Sequence, residues 1–440
     1  MAKFRPPLPP GPYLVVGLAR SGVAAALALR ARGEEVIACD AGAPDVGRLR
    51  EAGVEVHLDA SGEALAARAG TLIKSPGVPQ TAPAILAARS RAAPVLGELE
   101  LAWRLLPNEF IAVTGTNGKT TTTEWIGHIH DGIGSPVEVG GNVGTALSSL
   151  VGQVSAEATI VCEASSFQLE DTEFFSPESA VLLNLAPDHL DRHPSYEDYV
   201  SAKLRVFAHQ GNDDIAVAPA DLPVEDLGGC ARRVTFGEAP GSELSARAGY
   251  LWWDERPLLA TDEISLPGAH NLQNAMAVAA VCLARGLEPD GVASGLRTFP
   301  GVAHRLERIA TLDGVAFVND SKATNVASTI VALRSYENGV HLIAGGRGKQ
   351  QDFSPLAPVV AERCRAVYLI GEAADEIAGV LRDTHVELLG CHDLERAVAA
   401  ARARAAAGET VLLSPACASF DQYPNFEARG DHFRALVESA

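Results

Sequence analysis

The sequence predicts an α/β protein of three domains, and three observations carry that prediction. Short apolar runs recur along the chain. Most end in a glycine or polar turn that leads into an alanine-rich, helix-periodic stretch, the alternation from which parallel sheets are built. A glycine-lysine turn at Gly118-Lys119 opens a middle region with strand–turn–helix units of its own, flanked on both sides by regions of the same kind. The length, 440 residues, suits about three domains of ordinary size. The boundaries read as 1–97, 98–302 and 303–440.

In the first region, Tyr13-Leu-Val-Val16 reads as a strand, Gly17-Leu-Ala-Arg-Ser-Gly22 as a turn and the stretch to about Arg32 as a helix. Glu35-Val-Ile-Ala-Cys39 is the next strand and ends at Asp40. This is a Rossmann-like arrangement, in which a G-x-G-x-x-G turn is followed by an acid about 20 residues on. The middle glycine, which lets a pyrophosphate approach, is Ala19 here, which disfavours NAD. Two readings remain: a nucleotide held more loosely at the turn, or a plain turn with Asp40 in solvent. Thr71-Leu-Ile-Lys-Ser-Pro-Gly77 is a strand running into a loop, so Asp40 and Ser75 both fall at strand carboxyl ends, where open α/β sheets bind ligands.

The middle region begins with Phe110-Ile-Ala-Val113 as a buried strand, a turn on Gly115 and Gly118, and a helix from Lys119 through Ile129. Strand, glycine turn, Lys-Thr and helix make a phosphate cradle of the P-loop ATPase type. Backbone N–H groups approach the phosphates and the helix N-terminus adds partial positive charge. Lys119 reaches the terminal phosphates and the Thr120 hydroxyl suits Mg²⁺. The loop is two residues shorter than G-x-x-x-x-G-K-[ST], with Val113 where that pattern has its first glycine. Val137-Glu-Val-Gly-Gly-Asn-Val-Gly144 displays Asn142 on a glycine turn. Ala158-Thr-Ile-Val-Cys-Glu163 is a strand whose terminal acid is either a second support for Mg²⁺ or a solvated or capping glutamate. Ala180-Val-Leu-Leu-Asn184 leads into the polar cluster Asp188-His-Leu-Asp-Arg-His193, after which Pro194 and the acids that follow start a helix. On that helix Lys203 shares a stripe with Tyr196 and Tyr199, and there it is either snorkelling or functional. His189 and His193 have helical i, i+4 spacing, but Pro194 favours a loop and no zinc site is assigned. Residues 210–265 read as short strands and turns. Asn271 and Asn274, at the start of an alanine-rich helix, either cap it or grip a nucleotide edge.

The last region repeats the pattern as a second Rossmann-like α/β unit. Strands end at Asp320, at Gly345-Gly-Arg347, at Gly371 and at Ser414, each followed by a polar cluster, so the clusters converge on one sheet edge.

Charge and cysteine usage narrow the function class. Lys and Arg number 36 against 55 Asp and Glu, a formal charge of −19, which opposes general nucleic-acid binding while leaving local phosphate sites open. Seven scattered cysteines without a C-x-x-C pair suggest neither a disulfide framework nor zinc, and fit a reducing cytoplasm. Prolines stand where a signal peptide needs an apolar stretch, and no apolar run of roughly 18 residues suggests a membrane span.

Several runs in order resemble the Mur ligase family, which with the folylpolyglutamate synthases forms a superfamily of ATP-dependent, amide-forming enzymes. They are Thr114–Thr120, Gly-Gly-Asn-Val-Gly, Glu163-Ala-Ser-Ser-Phe-Gln-Leu, Asp-His-Leu-Asp-Arg, Ala-Lys-Leu-Arg, His-Asn-Leu-Gln-Asn-Ala, His304-Arg305, Asn-Asp-Ser-Lys-Ala-Thr-Asn and Ser-Pro-Ala-Cys-Ala-Ser. The last two runs point to the glutamate-accepting branch. The Asp-Asn-Pro-Arg motif of the diaminopimelate- and lysine-adding members is absent.

The resemblance implies an ATP-dependent ligase working through an acyl phosphate, as a monomer, on UDP-N-acetylmuramoyl-L-alanine and D-glutamate, with an L-glutamate-adding variant as the alternative. It implies that Gly115, Thr116, Asn117, Gly118, Lys119, Thr120, Thr121, Asn271, Asn274, Arg305 and Asp320 bind ATP, with Lys119, His189, Lys203 and Arg305 catalytic. It implies two Mg²⁺ ions, supported by Thr120 and Glu163 and by His189 and Lys203, the lysine as a CO₂-derived carbamate. Ser21, Asp40, Ser75 and Asn142 match the UDP-sugar side. Thr324, Lys349, Ser419 and the Phe426 backbone match the amino-acid pocket, which Lys322 joins. Arg347 departs from the acid that members carry, and Ala19-Arg20 from smaller or apolar residues. Three rivals are weaker. A folylpolyglutamate synthase generally lacks the domain ahead of the loop. An NAD-dependent dehydrogenase needs the missing glycine and a hydride-transfer site. A nucleotide switch needs neither Lys203 nor the C-terminal clusters.

Overall fold

The computed structural model describes residues 3–188, 192–222, 227–239, 241–348 and 351–439. Its strands fall into three sheets. The first holds β1 (Tyr13–Val16), β2 (Val36–Cys39), β3 (Glu55–His57), β4 (Thr71–Lys74) and β5 (Val95–Gly97), all parallel, in the order β3-β2-β1-β4-β5. Every residue of β1, β2 and β4 is buried, as expected of parallel strands covered on both faces. One apolar core lies on each face, around Val15 and Leu29 and around Leu14 and Ile85. The order reverses direction between β1 and β4, and this opens a crevice at their carboxyl ends. Gly22 sets how closely the helix Arg20–Ala31 lies on the β1 turn: a Cβ there would stand 1.8 Å from the Gly17 carbonyl oxygen.

The second sheet holds β6 (Phe110–Thr114), β7 (Val137–Gly141), β8 (Thr159–Glu163), β9 (Ser179–Leu182), β10 (Ile215–Pro219), β11 (Arg232–Gly237), β12 (Leu244–Arg247), β13 (Tyr250–Trp253) and β14 (Arg256–Ala260). The order is β14-β13-β12-β11-β10-β9-β6-β8-β7. Pairing is parallel from β7 to β12, and β13 and β14 extend the sheet antiparallel. The fully buried β6 and β8 sit side by side, so the residues that follow each of them emerge together.

The third sheet holds β15 (Glu307–Leu312), β16 (Val315–Asn319), β17 (Val340–Gly345), β18 (Cys364–Ile370), β19 (Glu387–His392) and β20 (Thr410–Leu413), in the order β15-β16-β20-β17-β18-β19. Only β15 is antiparallel.

The first two sheets form one compact unit, Met1–Phe299, and the third forms another, Pro300–Ala440. Part of the joining within the first unit is the N-terminal segment. Arg5 crosses to the second sheet's side, where its guanidinium stands 5.2 Å from the Trp103 ring and 5.3 Å from the Phe110 ring. It donates to the carbonyls of Trp103, at 2.7 Å, and of Asn108. No helix among the described residues is long and apolar enough to cross a membrane, and all seven cysteines are free.

Candidate active site

The phosphate loop follows β6 and is shaped by its two glycines. Gly115 has φ +147° and Gly118 φ +86°, left-handed conformations that side chains disfavour. A Cβ on Gly118 would also stand 2.2 Å from Asn274 Oδ1. The helix Lys119–Gly132 begins at once, with its N-terminus on the loop. Asn184, at the exit of β9, holds the loop from the other side: its Oδ1 accepts from Asn117 N–H at 2.9 Å and its Nδ2 donates to Asn117 O at 3.1 Å. Thr116 Oγ1 pairs with the Tyr199 hydroxyl at 2.9 Å.

Thr120 Oγ1 donates to Glu163 Oε2 at 2.7 Å, and Asn142 Nδ2 donates to Glu163 Oε1 at 3.2 Å. The Asn142 N–H also donates to Glu163 O at 2.9 Å. Glu163 is buried and faces the loop, which excludes the solvated reading. A hydroxyl beside a carboxylate at a phosphate loop is a hard oxygen donor set, and it fits Mg²⁺.

Lys203 does not snorkel. It is buried, its Nζ donates to Gly115 O at 2.8 Å, and it lies 4.6 Å from the Tyr199 ring centre. Lys119 Nζ donates to the same carbonyl at 2.9 Å and to Thr116 O at 2.9 Å. Burial, and then the neighbouring Lys119 charge, push the Lys203 ammonium down to about 7. An amine offers a metal no oxygen. An amine that is half neutral near pH 7 is, however, a nucleophile toward CO₂. The helix carrying it, Tyr196–Leu204, starts with Ser195 as its cap, so Pro194 precedes the cap and does not open the first turn. His189 lies outside the described residues.

Asn271 and Asn274 lie on the helix Ala269–Ala284, which begins at Gly268 without a side-chain cap, so the capping reading falls. Asn271 Nδ2 donates to Pro267 O at 2.8 Å, and the buried Asn274 Nδ2 donates to Asn271 Oδ1 at 3.4 Å. Thr121 is buried in the first turn of the loop helix.

In the first sheet Asp40 is a structural acceptor as well as a strand-end acid, which removes the reading of an acid left in solvent. Its Oδ2 accepts from Leu18 N–H at 2.6 Å and its Oδ1 from Gly42 N–H at 2.8 Å. Ser75 Oγ donates to Gly17 O at 2.6 Å. Ser21 sits in the first turn of the helix Arg20–Ala31. Asp40, Ser75 and Ser21 therefore surround one turn.

The second unit gathers its own polar ends. Ser414 Oγ donates to Asp320 Oδ2 at 2.7 Å and Leu306 N–H to Asp320 Oδ1 at 3.2 Å, while burial pushes the Asp320 carboxyl up to about 6. Arg305 is exposed next to Leu306. Thr324 N–H donates to Lys322 O at 2.8 Å. Ser419 is buried, and Phe426 opens the helix Phe426–Glu438 behind the Asn425 cap. Phe426 O accepts from Ser321 Oγ at 2.8 Å. Arg347 pairs with Glu372 through two contacts of 3.2 Å, and its backbone bridges Ala418. The strand ends thus converge on one edge, as the sequence implies. Lys349 lies outside the described residues.

Some participants were missed. Asn184 was legible as the polar end of an apolar strand, and Tyr199 as a neighbour of Lys203. Ser165 and Gln168 form a capping box on the helix Ser166–Leu169, and S-x-x-Q spells that motif outright.

Residues 113–282 match the Mur ligase middle domain, and residues 304–417 match the Mur ligase, glutamate ligase domain. The UDP-N-acetylmuramoylalanine–D-glutamate ligase of Acidobacterium capsulatum is 41% identical, over 96% of this chain and 95% of its own. The chain belongs to the Mur ligase family. A relative of the same description from Pelotomaculum thermopropionicum is 41% identical over 97% of both chains. In fold, the chain is similar to the crystal structure of the UDP-N-acetylmuramate-alanine ligase of Thermotoga maritima, with a TM-score of 0.59 and 20% identity over 98% of this chain and 99% of that one. The Mur ligase middle-domain match spans Lys119, Glu163, Lys203 and both asparagines. The second Mur ligase match spans Arg305, Asp320 and Thr324 and stops just short of Ser419.

Proposed function

We propose that the protein is an ATP-dependent ligase that joins D-glutamate to the alanine carboxylate of UDP-N-acetylmuramoyl-L-alanine, in the cytoplasm, for cell-wall precursor synthesis. The observation that carries this reading is the near full-length match to relatives of that description, combined with a phosphate loop where Lys119 and Lys203 meet at the Gly115 carbonyl and Thr120 pairs with Glu163. In the reaction, the alanine carboxylate takes the γ-phosphoryl group of ATP, giving an acyl phosphate and ADP. The glutamate amine then attacks the acyl carbon, loses a proton and expels phosphate.

The chain's residues have stated tasks. The loop N–H groups and Lys119 hold the phosphates and neutralise charge that develops during transfer. Thr120 and Glu163 would hold one Mg²⁺, and His189 and a carbamate on Lys203 a second; such ions would offset negative charge on phosphate and carboxylate oxygens. The lowered Lys203 ammonium supports the carbamate, because only a neutral amine adds CO₂ and carbamylation replaces a buried cation with two oxygen donors. Asn271, Asn274, Arg305 and Asp320 bind ATP. Asp40, Ser75, Ser21 and Asn142 bind the UDP-sugar. Thr324, Lys349, Ser419 and the Phe426 backbone bind glutamate.

Labelled D-glutamate incubated with ATP, Mg²⁺ and UDP-N-acetylmuramoyl-L-alanine will enter a product heavier by one glutamyl residue, read by mass spectrometry. Absence of that product with nucleotide bound would refute the reading.

A further inference from the structure

A buried lysine joins the first sheet to the segment that leaves Glu163, and nothing above uses it. Lys74 ends β4, immediately before Ser75, and its side chain is fully buried. Its Nζ lies 2.5 Å from Asp171 Oδ2 and 4.0 Å from Glu170 Oε1. Gln80 Nε2 donates to both acids, at 2.7 Å to Asp171 Oδ1 and 2.8 Å to Glu170 Oε1. The other Glu170 oxygen stands 4.0 Å from His193 Nδ1, and His193 Nε2 meets Ser166 Oγ at 2.9 Å. The backbones close at the same point: Gly97 N–H donates to Asp171 O at 3.0 Å, and a Cβ on Gly97 would stand 2.8 Å from the Asp171 Cβ.

The two ends so joined are the two that a long substrate must bridge. One is the crevice of the first sheet, where Ser75 bonds the Gly17 turn. The other is the run from Glu163 through Ser165 and Gln168 to Asp171, which starts beside Thr120. Stability alone does not account for the pair. Desolvating two charges offsets most of their attraction, and a well-packed apolar pair would hold the sheets as well. What an ion pair adds is direction, because a buried ammonium accepts only arrangements that bring carboxylates to it.

We propose that Lys74 and Asp171 form a positioning clasp that sets the span between the nucleotide end and the reacting end of the UDP-sugar substrate. The proposal rests on the substrate assignment above. Lys74 is a positioning residue. It holds the Ser75 end in register with the Glu163 end, so that a uridine held at one end brings the carboxylate of the same molecule to the other.

The test compares the parent, Lys74→Met and Lys74→Met/Asp171→Asn. The single variant leaves the buried Asp171 carboxylate without its cation and will melt earlier. The double variant removes both charges and keeps the fold. Thermal unfolding is measured with KM for ATP, glutamate and UDP-N-acetylmuramoyl-L-alanine. The clasp predicts that the double variant melts near the parent, keeps its KM for ATP, and raises KM for the UDP-sugar by roughly tenfold or more. Parental melting with a parental KM for the UDP-sugar would overturn the clasp alone, leaving the substrate assignment standing. If the parent itself bound no UDP-N-acetylmuramoyl-L-alanine in calorimetry, the assignment and the clasp would fall together.

Discussion

At the proposed site, Lys203 is the residue whose burial costs stability. Its ammonium is pushed from 10.5 to about 7, mainly by burial. The sign follows from linkage: between those pH values the unfolded chain binds a proton that the folded chain does not, so stability rises with pH through that window. Below pH 7 the full cost of a buried cation is present, on the order of a few kcal/mol. In CO₂-purged buffer, Lys203→Met will therefore unfold at a higher temperature than the parent at pH 6 to 7, an advantage that shrinks toward pH 10. With CO₂ present it will also lose activity, by roughly a thousandfold or more against the parent. The parent should lose activity as pH falls through about 7, and added bicarbonate should restore part of it. Parental activity in Lys203→Met would contradict the role assigned to Lys203. Sequence alone left this lysine between snorkelling and function, because helical spacing gives a face but not the depth at which Nζ ends or the carbonyl it meets. Asp40 was half legible for the same reason: its strand-end position could be read, but its bonds to Leu18 and Gly42 N–H could not.

At the scale of elements, the phosphate loop and the β1 turn are both built on glycines, but the two turns fail differently. A Cβ at Gly22 meets backbone, the Gly17 oxygen at 1.8 Å, and nothing there can swing away. Gly22→Ala will lift the helix Arg20–Ala31 from β1 and cost about 1–3 kcal/mol or more in thermal unfolding. A Cβ at Gly118 meets the end of the Asn274 side chain, and φ is +86°. Gly118→Ala will cost less stability than Gly22→Ala and will raise KM for ATP. A reversed ranking would mean that the Gly22 helix is not held where it lies. Strands such as β1, β6, β8 and β16 were readable from apolar runs ending in turns, since parallel strands are buried on both faces. The edge strands β3, β15 and β19 were not, because their residues are largely exposed or half-buried and lack such a run. The Lys74 clasp was also out of reach. Thr71-Leu-Ile-Lys74 shows a lysine closing an apolar strand, but its partner is nearly a hundred residues away, in the segment between β8 and β9 of another sheet.

At the scale of the whole molecule, three sheets fall into two units, because the first two share a strap at Arg5, the Lys74 clasp and the Gly97–Asp171 contact. Sequence periodicity marks sheets one at a time and carries no information on which of them share a buried face, so this grouping had to come from structure. The central claim concerns the intact chain. The most direct test is phosphate release from ATP by that chain with Mg²⁺ and UDP-N-acetylmuramoyl-L-alanine, comparing D-glutamate, L-glutamate and no amino acid. The account predicts release that depends on both the UDP-sugar and D-glutamate. Release with L-glutamate alone would keep the chemistry and overturn the assigned substrate. Release that ignores both would contradict the ligase itself.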